Sequence, residues 1–159
     1  WENTIEGSQG VFSGNLTFLE STGRLYNWYA VEDFRSICPI NWRVPSVEDW
    51  WELAIFLGLQ ADEVQSIGWH GVDEGAQLKS TYLDTPGWNG DNSTGFSALA
   101  GGIRTTGGVA QYGNLGGWWW SSTPLNSSAF RLHLAGQSGM NFGYDHKNYG
   151  FSVRCLRDE

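Results

Sequence analysis

The chain has 159 residues, of which 22 are glycine and 10 tryptophan, while only 16% are charged. Few long charged side chains and many glycines argue against a helical bundle and for short strands, turns and ordered loops. The formal net charge of −8 disfavours a nucleic-acid partner, since phosphate binding needs clustered Lys and Arg, and no apolar run is long enough to span a membrane.

The first part of the chain contains one predicted strand. Residues 1–22 are predicted to be an extended lead-in to a single domain covering 1–159. The opening residues look like those of a trimmed fragment, so the lack of a visible signal peptide carries no conclusion. Alternating side chains over 23–31 predict a strand, and Asn41 is expected to adopt a left-handed turn between Pro39 and Pro45.

One helix is indicated on several grounds. Ser46 is suited to cap its N-terminus, and an apolar stripe follows that Gly58 ends. The stripe consists of Trp50, Leu53, Ala54 and Leu57. A second, shorter helix is predicted over 61–68, and a further helical turn over 74–80.

Short strands dominate after residue 84. The loop 84–99 is dense in Asp, Asn, Gly and Pro, and a hairpin is predicted to turn at Gly107–Gly108. Four more strands are predicted, at 118–122, 129–135, 140–144 and 150–156. Helices followed by antiparallel strands indicate an α+β fold with one or two helices packed on short strands and with long ordered loops.

The last strands differ in character. Phe151, Val153 and Cys155 alternate with polar residues, as in a strand with one buried face. The stretch 140–149 mixes aromatic, acidic, basic and amide side chains without an apolar period. It is therefore interpreted as a surface for contact rather than as part of the core.

Three consecutive tryptophans lie in one predicted strand. Trp118 and Trp120 face one way and Trp119 the other, so all three cannot be buried against one sheet face. Trp120 is expected in the core. One or two of the three tryptophans cover the core, and the other is either covered by a loop or available to a ligand.

The two cysteines, Cys38 and Cys155, are too far apart in sequence to form a local redox or zinc motif. Two interpretations remain open at this point. A disulfide would tie the early chain to the last strand and indicate a compartment outside the reducing cytosol, whereas two buried free thiols would be ordinary core residues.

No catalytic or metal motif is recognisable. The three histidines, His70, His133 and His146, have no metal-ligand spacing, and the sequence contains no nucleophile elbow, zinc-protease or P-loop motif. No enzymatic activity and no cofactor are predicted, although folding could still bring two carboxylates together. Calcium binding in the loop 84–97 is the one metal alternative, with candidate ligands Asp84, Asn89, Asp91 and Asn92.

Several motifs together resemble a known family. The segments YNWYAV, CPINWRVPSVEDWWEL, LKS, GFSAL, WWWSS and GFSVRCL follow one another as in the Fibrobacter succinogenes major paralogous domain, over about residues 23–157. That resemblance implies a C-type-lectin-like α+β fold in which the N- and C-terminal strands come together, in agreement with a Cys38–Cys155 disulfide. It also implies secretion or surface display in bacteria of the Bacteroidetes type.

The ending of the chain has a narrower resemblance, to the variable proteins of diversity-generating retroelements, in which a lectin-like scaffold holds diversified ligand-binding positions. It implies thirteen candidate contact residues, and Trp119 from the tryptophan strand is added as a fourteenth. They are Trp119, Ser127, Ser128, Phe130, Arg131, His133, Met140, Asn141, Phe142, Tyr144, Asp145, His146, Asn148 and Tyr149. Gly143, Gly150, Phe151, Val153 and Arg154 are the corresponding framework.

The function predicted from these observations is a non-enzymatic binding module, extracellular or on a bacterial surface, that contacts a protein or glycan ligand through its C-terminal strands. Aromatic residues mixed with Arg and Asp are typical of contact surfaces. Two alternatives remain: a carbohydrate-binding module that uses exposed Trp and Tyr, and a purely structural domain of a surface or pilus protein.

Overall fold

The computed structural model describes residues 4–158, which form short strands and four helices. The helices are α1 (Thr17–Ser21), α2 (Trp28–Val31), α3 (Val47–Leu57) and α4 (Glu74–Leu78). The strands are β1 (Gln9–Val11), β2 (Arg24–Tyr26), β3 (Trp42–Arg43), β4 (Gly68–His70), β5 (Ile103–Arg104), β6 (Ala110–Gln111), β7 (Gly117–Leu125), β8 (Ser128–Leu134), β9 (Met140–His146) and β10 (Leu156–Arg157). The α+β class predicted from the sequence is confirmed. None of the helices in this range is both long and apolar enough to cross a membrane.

An antiparallel sheet in the order β4-β9-β8-β7 is the largest element of the fold. Three two-stranded sheets accompany it, formed by β1 with β2, β3 with β10, and β5 with β6. Because side chains alternate across a strand, the register fixes two faces of the large sheet. Leu132 pairs with Trp119 and Phe142 on the face packed against α3, which we call the inner face, and the opposite side is the outer face.

The main hydrophobic core lies between α3 and the inner face. Trp50 and Ala54 of α3 pack in one cluster with Leu132, Met140 and Phe142 of the sheet. All five side chains are buried. Apolar burial is therefore concentrated on one side of the sheet, which leaves the outer face to be covered by other elements or by solvent.

A second apolar cluster covers only part of the outer face. Trp120 is buried there against Phe151, with ring centroids 4.2 Å apart, and its indole N–H donates to the Tyr26 carbonyl at 2.8 Å. Trp28 joins this cluster and donates to the Ser121 carbonyl at 2.8 Å. The prediction that Trp120 belongs to the core is confirmed.

Local chemistry determines the start and the end of α3. The Ser46 hydroxyl accepts a hydrogen bond from the Asp49 N–H at 3.3 Å, and the Asp49 carboxylate accepts one from the Ser46 N–H at 2.7 Å, which forms a capping box. Gly58, with φ at 129°, ends the helix as predicted. The helical turn at α4, the left-handed Asn41 and the hairpin at Gly107–Gly108 are also confirmed.

Cys38 and Cys155 are joined in a disulfide with a Cα–Cα distance of 5.8 Å. It closes a separation of 117 residues. The neighbouring strands β3 and β10 pair with Leu156 opposite Arg43. The disulfide interpretation is thus confirmed, and the last strand is tied to the segment that precedes α3.

Two predictions for the first half of the chain are wrong in part. The strand predicted over 23–31 ends at Tyr26, because the buried Asn27 side chain accepts a hydrogen bond from Ala30 N–H at 3.2 Å and caps α2. Residues 4–22 of the predicted extended lead-in contain β1 and α1; residues 1–3 lie outside the described range.

Residues 61–68 do not form the predicted helix. They form turns instead, held by bonds such as Glu63 N–H to the Gln60 carbonyl at 3.0 Å and Ser66 N–H to the Glu63 carbonyl at 3.1 Å. Val64 is the one buried side chain of this stretch, so no apolar stripe stabilises a helix there.

The strand predicted over 150–156 is also replaced by a less regular structure. Phe151 and Ser152 form isolated bridges with Tyr26 and Trp119. Arg154 then turns inward, donates to the Phe96 carbonyl at 2.7 Å and stacks on the Phe96 ring. This inward turn and the disulfide at Cys155 interrupt the regular alternation.

Candidate ligand-binding face

One row of side chains crosses the outer face from β7 to β4. The register places Trp118 opposite His133, His133 opposite Asn141, and Asn141 opposite Trp69. The Trp118 and His133 rings are stacked, with centroids 3.9 Å apart and planes 9° apart. The Trp69 ring lies 5.1 Å from His133 and is 40% exposed. Four strands therefore contribute to one row on the outer face, in which the rings are partly exposed and the Asn141 side chain is buried.

A polar network lies next to this row. The Arg131 guanidinium donates through Nε to Asp145 at 2.9 Å and through Nη1 to the Asn141 carbonyl at 3.2 Å. It lies flat over Gly143, where a Cβ atom would come within 2.7 Å of Nη2. Gly143 thus leaves the space that Arg131 needs, and the network fixes three polar side chains on β8 and β9.

An aromatic cleft opens on the outer face between Trp69 of β4 and Tyr112 beside β7, with a volume of about 460 Å³. The Tyr112 ring forms one side of the cleft, 5.6 Å from Trp118, and is 52% exposed. The cleft is lined by Trp69, Tyr112, Leu115, Trp118, His133, Ala135 and Gln137. We refer to these residues as the aromatic cleft.

His133 is kept neutral in this environment. Burial between the aromatic rings, together with the nearby positive charge of Arg131, lowers the pKa of His133 to about 3. Its Nε2 atom is buried and has no hydrogen-bond partner within residues 4–158. The imidazole therefore acts as a flat neutral wall and carries no charge near neutral pH.

A buried lysine fixes the β8–β9 turn that borders the cleft. The Lys79 ammonium donates to the carbonyls of Ala135 and Gln137 and to the Asn89 side-chain oxygen, each at 2.9 Å. The Asn89 amide in turn donates to the Gly136 carbonyl at 2.8 Å. Three successive carbonyls of the turn are held in this way, so Ala135 and Gln137 have fixed positions.

The predicted calcium ligands have other partners. Asn89 binds Lys79, and Asp84 accepts hydrogen bonds from the N–H and hydroxyl groups of Thr81 at 2.6 and 2.9 Å. The two remaining residues of the set also close turns, Asp91 with Ser93 and Asn92 with Ser97. Over the described range, 4–158, no group of three or more His, Cys, Asp and Glu side chains could hold a metal ion.

Four of the candidate contact residues lie in the core. Trp119, Phe130, Met140 and Phe142 point to the inner face and are at most 4% exposed. A ligand at the surface does not reach these four side chains. Strand β9 does alternate, with Met140 and Phe142 inward and Asn141 and Asp145 outward, so the statement that this stretch lacks an apolar period is corrected.

Two further candidates have structural contacts. Asn148 is buried and its side chain donates to the Thr4 carbonyl at 3.1 Å. Tyr149 is half-buried and packs on Phe151 with ring centroids 5.7 Å apart. Both residues help to hold the second apolar cluster and the segment that leads to β10.

The accessible candidates form two groups on opposite sides of the sheet. The outer face carries the partly exposed Arg131, His133 and Asp145, whereas Asn141 points to the same face but is buried within it. The side chains of Ser128, Tyr144 and His146 belong to the inner-face alternation but emerge beyond the core at the β7–β8 turn, next to the exposed Ser127. The structure therefore does not unite all the predicted contact residues in one surface.

Trp69 and Tyr112 are not among the predicted contact residues, and Trp119 was predicted where Trp118 is the accessible tryptophan of its strand. The alternation of the three tryptophans was visible, but which side faces α3 depends on long-range packing. Trp69 follows a segment that was taken for a helix, so its place in β4 had no local signal.

Together, the fold and the site define a disulfide-tied α+β domain that presents an aromatic and polar sheet face. The model of the Fibrobacter succinogenes major domain family matches residues 2–157. The chain belongs to this family. No curated protein and no solved structure matches the chain.

Proposed function

We propose that this domain is a non-enzymatic binding module that contacts a protein or glycan ligand through the outer face of its four-stranded sheet. The observation that carries the proposal is the row from Trp118 to Trp69 beside the Arg131–Asp145 pair. Aromatic rings and arginine on a rigid sheet lose little conformational entropy on binding, which favours contact with a ligand.

The chemistry of this face fits binding better than catalysis. His133 is neutral and stacked on Trp118, and the carboxylate of Asp145 is paired with Arg131. These contacts hold the side chains in place. Neither His133 nor Asp145 is therefore arranged as a general base for a nucleophile.

We also propose that the parent protein is secreted or displayed on a bacterial surface and that the fold is C-type-lectin-like. The Cys38–Cys155 disulfide supports the location, because such bonds persist outside the reducing cytosol. The pairing of β3 with β10, which brings an early and a late strand together, supports the fold.

Diversification by a retroelement is part of the proposal for the accessible positions only. The outward, partly exposed residues Arg131, His133 and Asp145 and the edge residues Ser127, Ser128, Tyr144 and His146 can change without opening the core. The encoding DNA provides the test. A nearby imperfect repeat that differs at adenines in these codons supports diversification, and differences in the codons of Met140 or Phe142 would contradict it.

The binding proposal is tested with two pairs of substitutions on the same strand. Asn141→Ala and Asp145→Ala alter the outer face, whereas Tyr144→Ala and His146→Ala alter the other side of β9. The purified domain is screened against a glycan array and a display library of bacterial surface proteins. We expect the outer-face pair to weaken binding of the selected ligand at least tenfold, while the other pair leaves it unchanged.

Thermal unfolding of all four variants controls for loss of structure. An equal loss of binding in both pairs, or loss only with Tyr144→Ala and His146→Ala, would overturn the assignment to the outer face. A fall in binding that follows a fall in Tm would show that these residues hold the fold together and do not contact the ligand.

A further inference from the structure

We propose that the aromatic cleft binds a neutral sugar ring of a glycan, without calcium. This inference rests on the proposed function, because the cleft lies on the same outer face. It adds a ligand class and a defined place for the ligand, both centred on Trp69, Tyr112 and Trp118, none of which belongs to the predicted contact set.

Aromatic rings provide the apolar part of the site. Trp118 and His133 form a stacked floor, and the exposed rings of Trp69 and Tyr112 stand at its two sides. The faces of aromatic rings are electron-rich, and the C–H bonds on one face of a pyranose carry a partial positive charge. A sugar ring can therefore pack against the exposed rings of Trp69 and Tyr112, beside the Trp118–His133 stack, and remove these surfaces from water.

Neutral polar groups complete the site. Tyr112, Gln137 and Trp118 line the cleft and carry a hydroxyl, an amide and an indole N–H. They offer both donors and acceptors, as sugar hydroxyls require. A few placed polar groups among aromatic walls are typical of small-ligand sites, and about 460 Å³ lies in their usual range of roughly 300–1,000 Å³.

The absence of charge narrows the ligand class. The lining contains no Asp, Glu, Lys or Arg, and His133 is neutral. A phosphate or carboxylate group would enter without a cationic partner, and a quaternary ammonium would find aromatic rings but no carboxylate. A ligand that combines apolar faces with uncharged hydroxyl groups matches this lining best.

The cleft is also held in shape before any ligand arrives. Lys79 fixes the carbonyl of Gln137 at 2.9 Å, and Trp69 is held in β4 by pairing with β9. Gly116 leaves room for the Trp118 ring, since a Cβ atom there would come within 2.7 Å of it. Such preorganisation reduces the entropy that binding would otherwise cost.

The experiment titrates the domain with a panel of methyl pyranosides and neutral disaccharides in EDTA, followed by tryptophan fluorescence and calorimetry. Phosphocholine, glucose 6-phosphate and indole serve as charged and purely aromatic competitors. We expect at least one neutral sugar to bind, with an affinity that is constant between about pH 5 and 8 because His133 stays neutral.

The variants Trp69→Ala and Tyr112→Ala are expected to weaken sugar binding at least tenfold. Both side chains are substantially exposed, so the fold should persist, which the Tm of each variant checks. Tyr112→Phe keeps the ring and should lose only the contribution of the hydroxyl. Tyr82→Ala is the matched control, since Tyr82 is an 81% exposed aromatic residue in a different loop.

Two results would overturn the inference. Binding of indole or phosphocholine without any neutral sugar would assign the cleft to another ligand class. Sugar binding that is unaffected by Trp69→Ala and Tyr112→Ala would place the sugar elsewhere. In either case the proposed function still stands if Asn141→Ala and Asp145→Ala weaken binding of a selected protein ligand, and it fails separately if they do not.

Discussion

The Lys79 side chain holds two loops together through a buried positive charge. Its ammonium is fully buried and is surrounded by oxygens of Asn89, Ala135 and Gln137, with the Trp88 ring 5.3 Å away. No carboxylate pairs with it within the described residues, and burial lowers the pKa of Lys79. The Lys79 ammonium and the Asn89 amide thus join the loop 84–97 to the β8–β9 turn.

Replacing this lysine should therefore cost more than replacing an ordinary lysine. Lys79→Met fills a similar volume but leaves the Ala135 and Gln137 carbonyls and the Asn89 amide oxygen without their charged donor, so we expect the free energy of unfolding to fall by about 3 kcal/mol. Urea denaturation at neutral pH measures the change. Lys147→Met is the control, because Lys147 only lies over the Trp28 ring at 4.1 Å and should lose about 1 kcal/mol or less. Equal losses in the two variants would contradict this role of Lys79.

The low pKa of His133 makes the stability of the fold depend on pH. Its folded pKa of about 3 lies below the ordinary value of 6.5, so between these values the unfolded chain binds a proton that the folded chain does not. The stability is complete above pH 6.5 and falls as the pH is lowered toward 3, with a slope of up to about 1.4 kcal/mol per pH unit.

His133→Gln should flatten that slope, and His146→Gln, at an exposed position, should not. Urea unfolding between about pH 4.5 and 6.5 tests this, above the range in which Asp49 takes up a proton, since Arg43 holds the pKa of Asp49 at about 2. An identical pH slope in wild type and His133→Gln would show that His133 titrates normally in the folded state.

At the scale of elements, the sequence predicts best what short-range chemistry determines. Ser46, Asp49 and Gly58 lie within one helix and its caps, so α3 was recognisable without knowledge of the rest of the fold. Asn27 was harder to interpret, because its cap on α2 also depends on a bond with the distant Ser8 N–H at 2.7 Å. The order of the predicted elements, helices followed by antiparallel strands, was enough for the α+β class.

For strand β9, the sequence alone does not predict which side chains face the core. The mixed polarity of Met140 to His146 comes from a strand whose two faces meet different surroundings, the core on one side and the Arg131 network on the other. Its neighbours β4 and β8 come from distant and adjacent parts of the chain, so the inward side is decided by packing. The predicted contact residues therefore lie mainly on strands of the large sheet, but the accessible side chains could not be separated from the buried ones.

At the scale of the whole molecule, one sheet is covered unequally on its two sides. The inner face is buried by α3 and the main core except near the β7–β8 turn, whereas the second cluster around Trp120 and Phe151 covers only part of the outer face. Core packing on one side makes the sheet rigid, and incomplete covering on the other exposes the aromatic cleft. A rigid surface with an open aromatic end is therefore a consequence of this architecture.

The disulfide lies next to the β3–β10 sheet, which has little packing of its own. β3 and β10 form a two-stranded sheet whose residues are all exposed, so the pairing of Arg43 with Leu156 has little apolar burial to support it. Closing 117 residues of chain is expected to stabilise the fold by about 4–5 kcal/mol through the entropy of the unfolded state.

The variant Cys38→Ser/Cys155→Ser should lower the free energy of unfolding by about that amount, and reduction of the wild-type protein should match it. Hydrogen exchange should accelerate at Trp42–Arg43 and Leu156–Arg157, while β7, β8 and β9 keep their protection because the main core does not include the disulfide. The reductant should have no effect on the double variant, which serves as the control. A loss below about 1 kcal/mol, or uniform acceleration of exchange across the sheet, would show that the chain ends are held by packing and not by the disulfide.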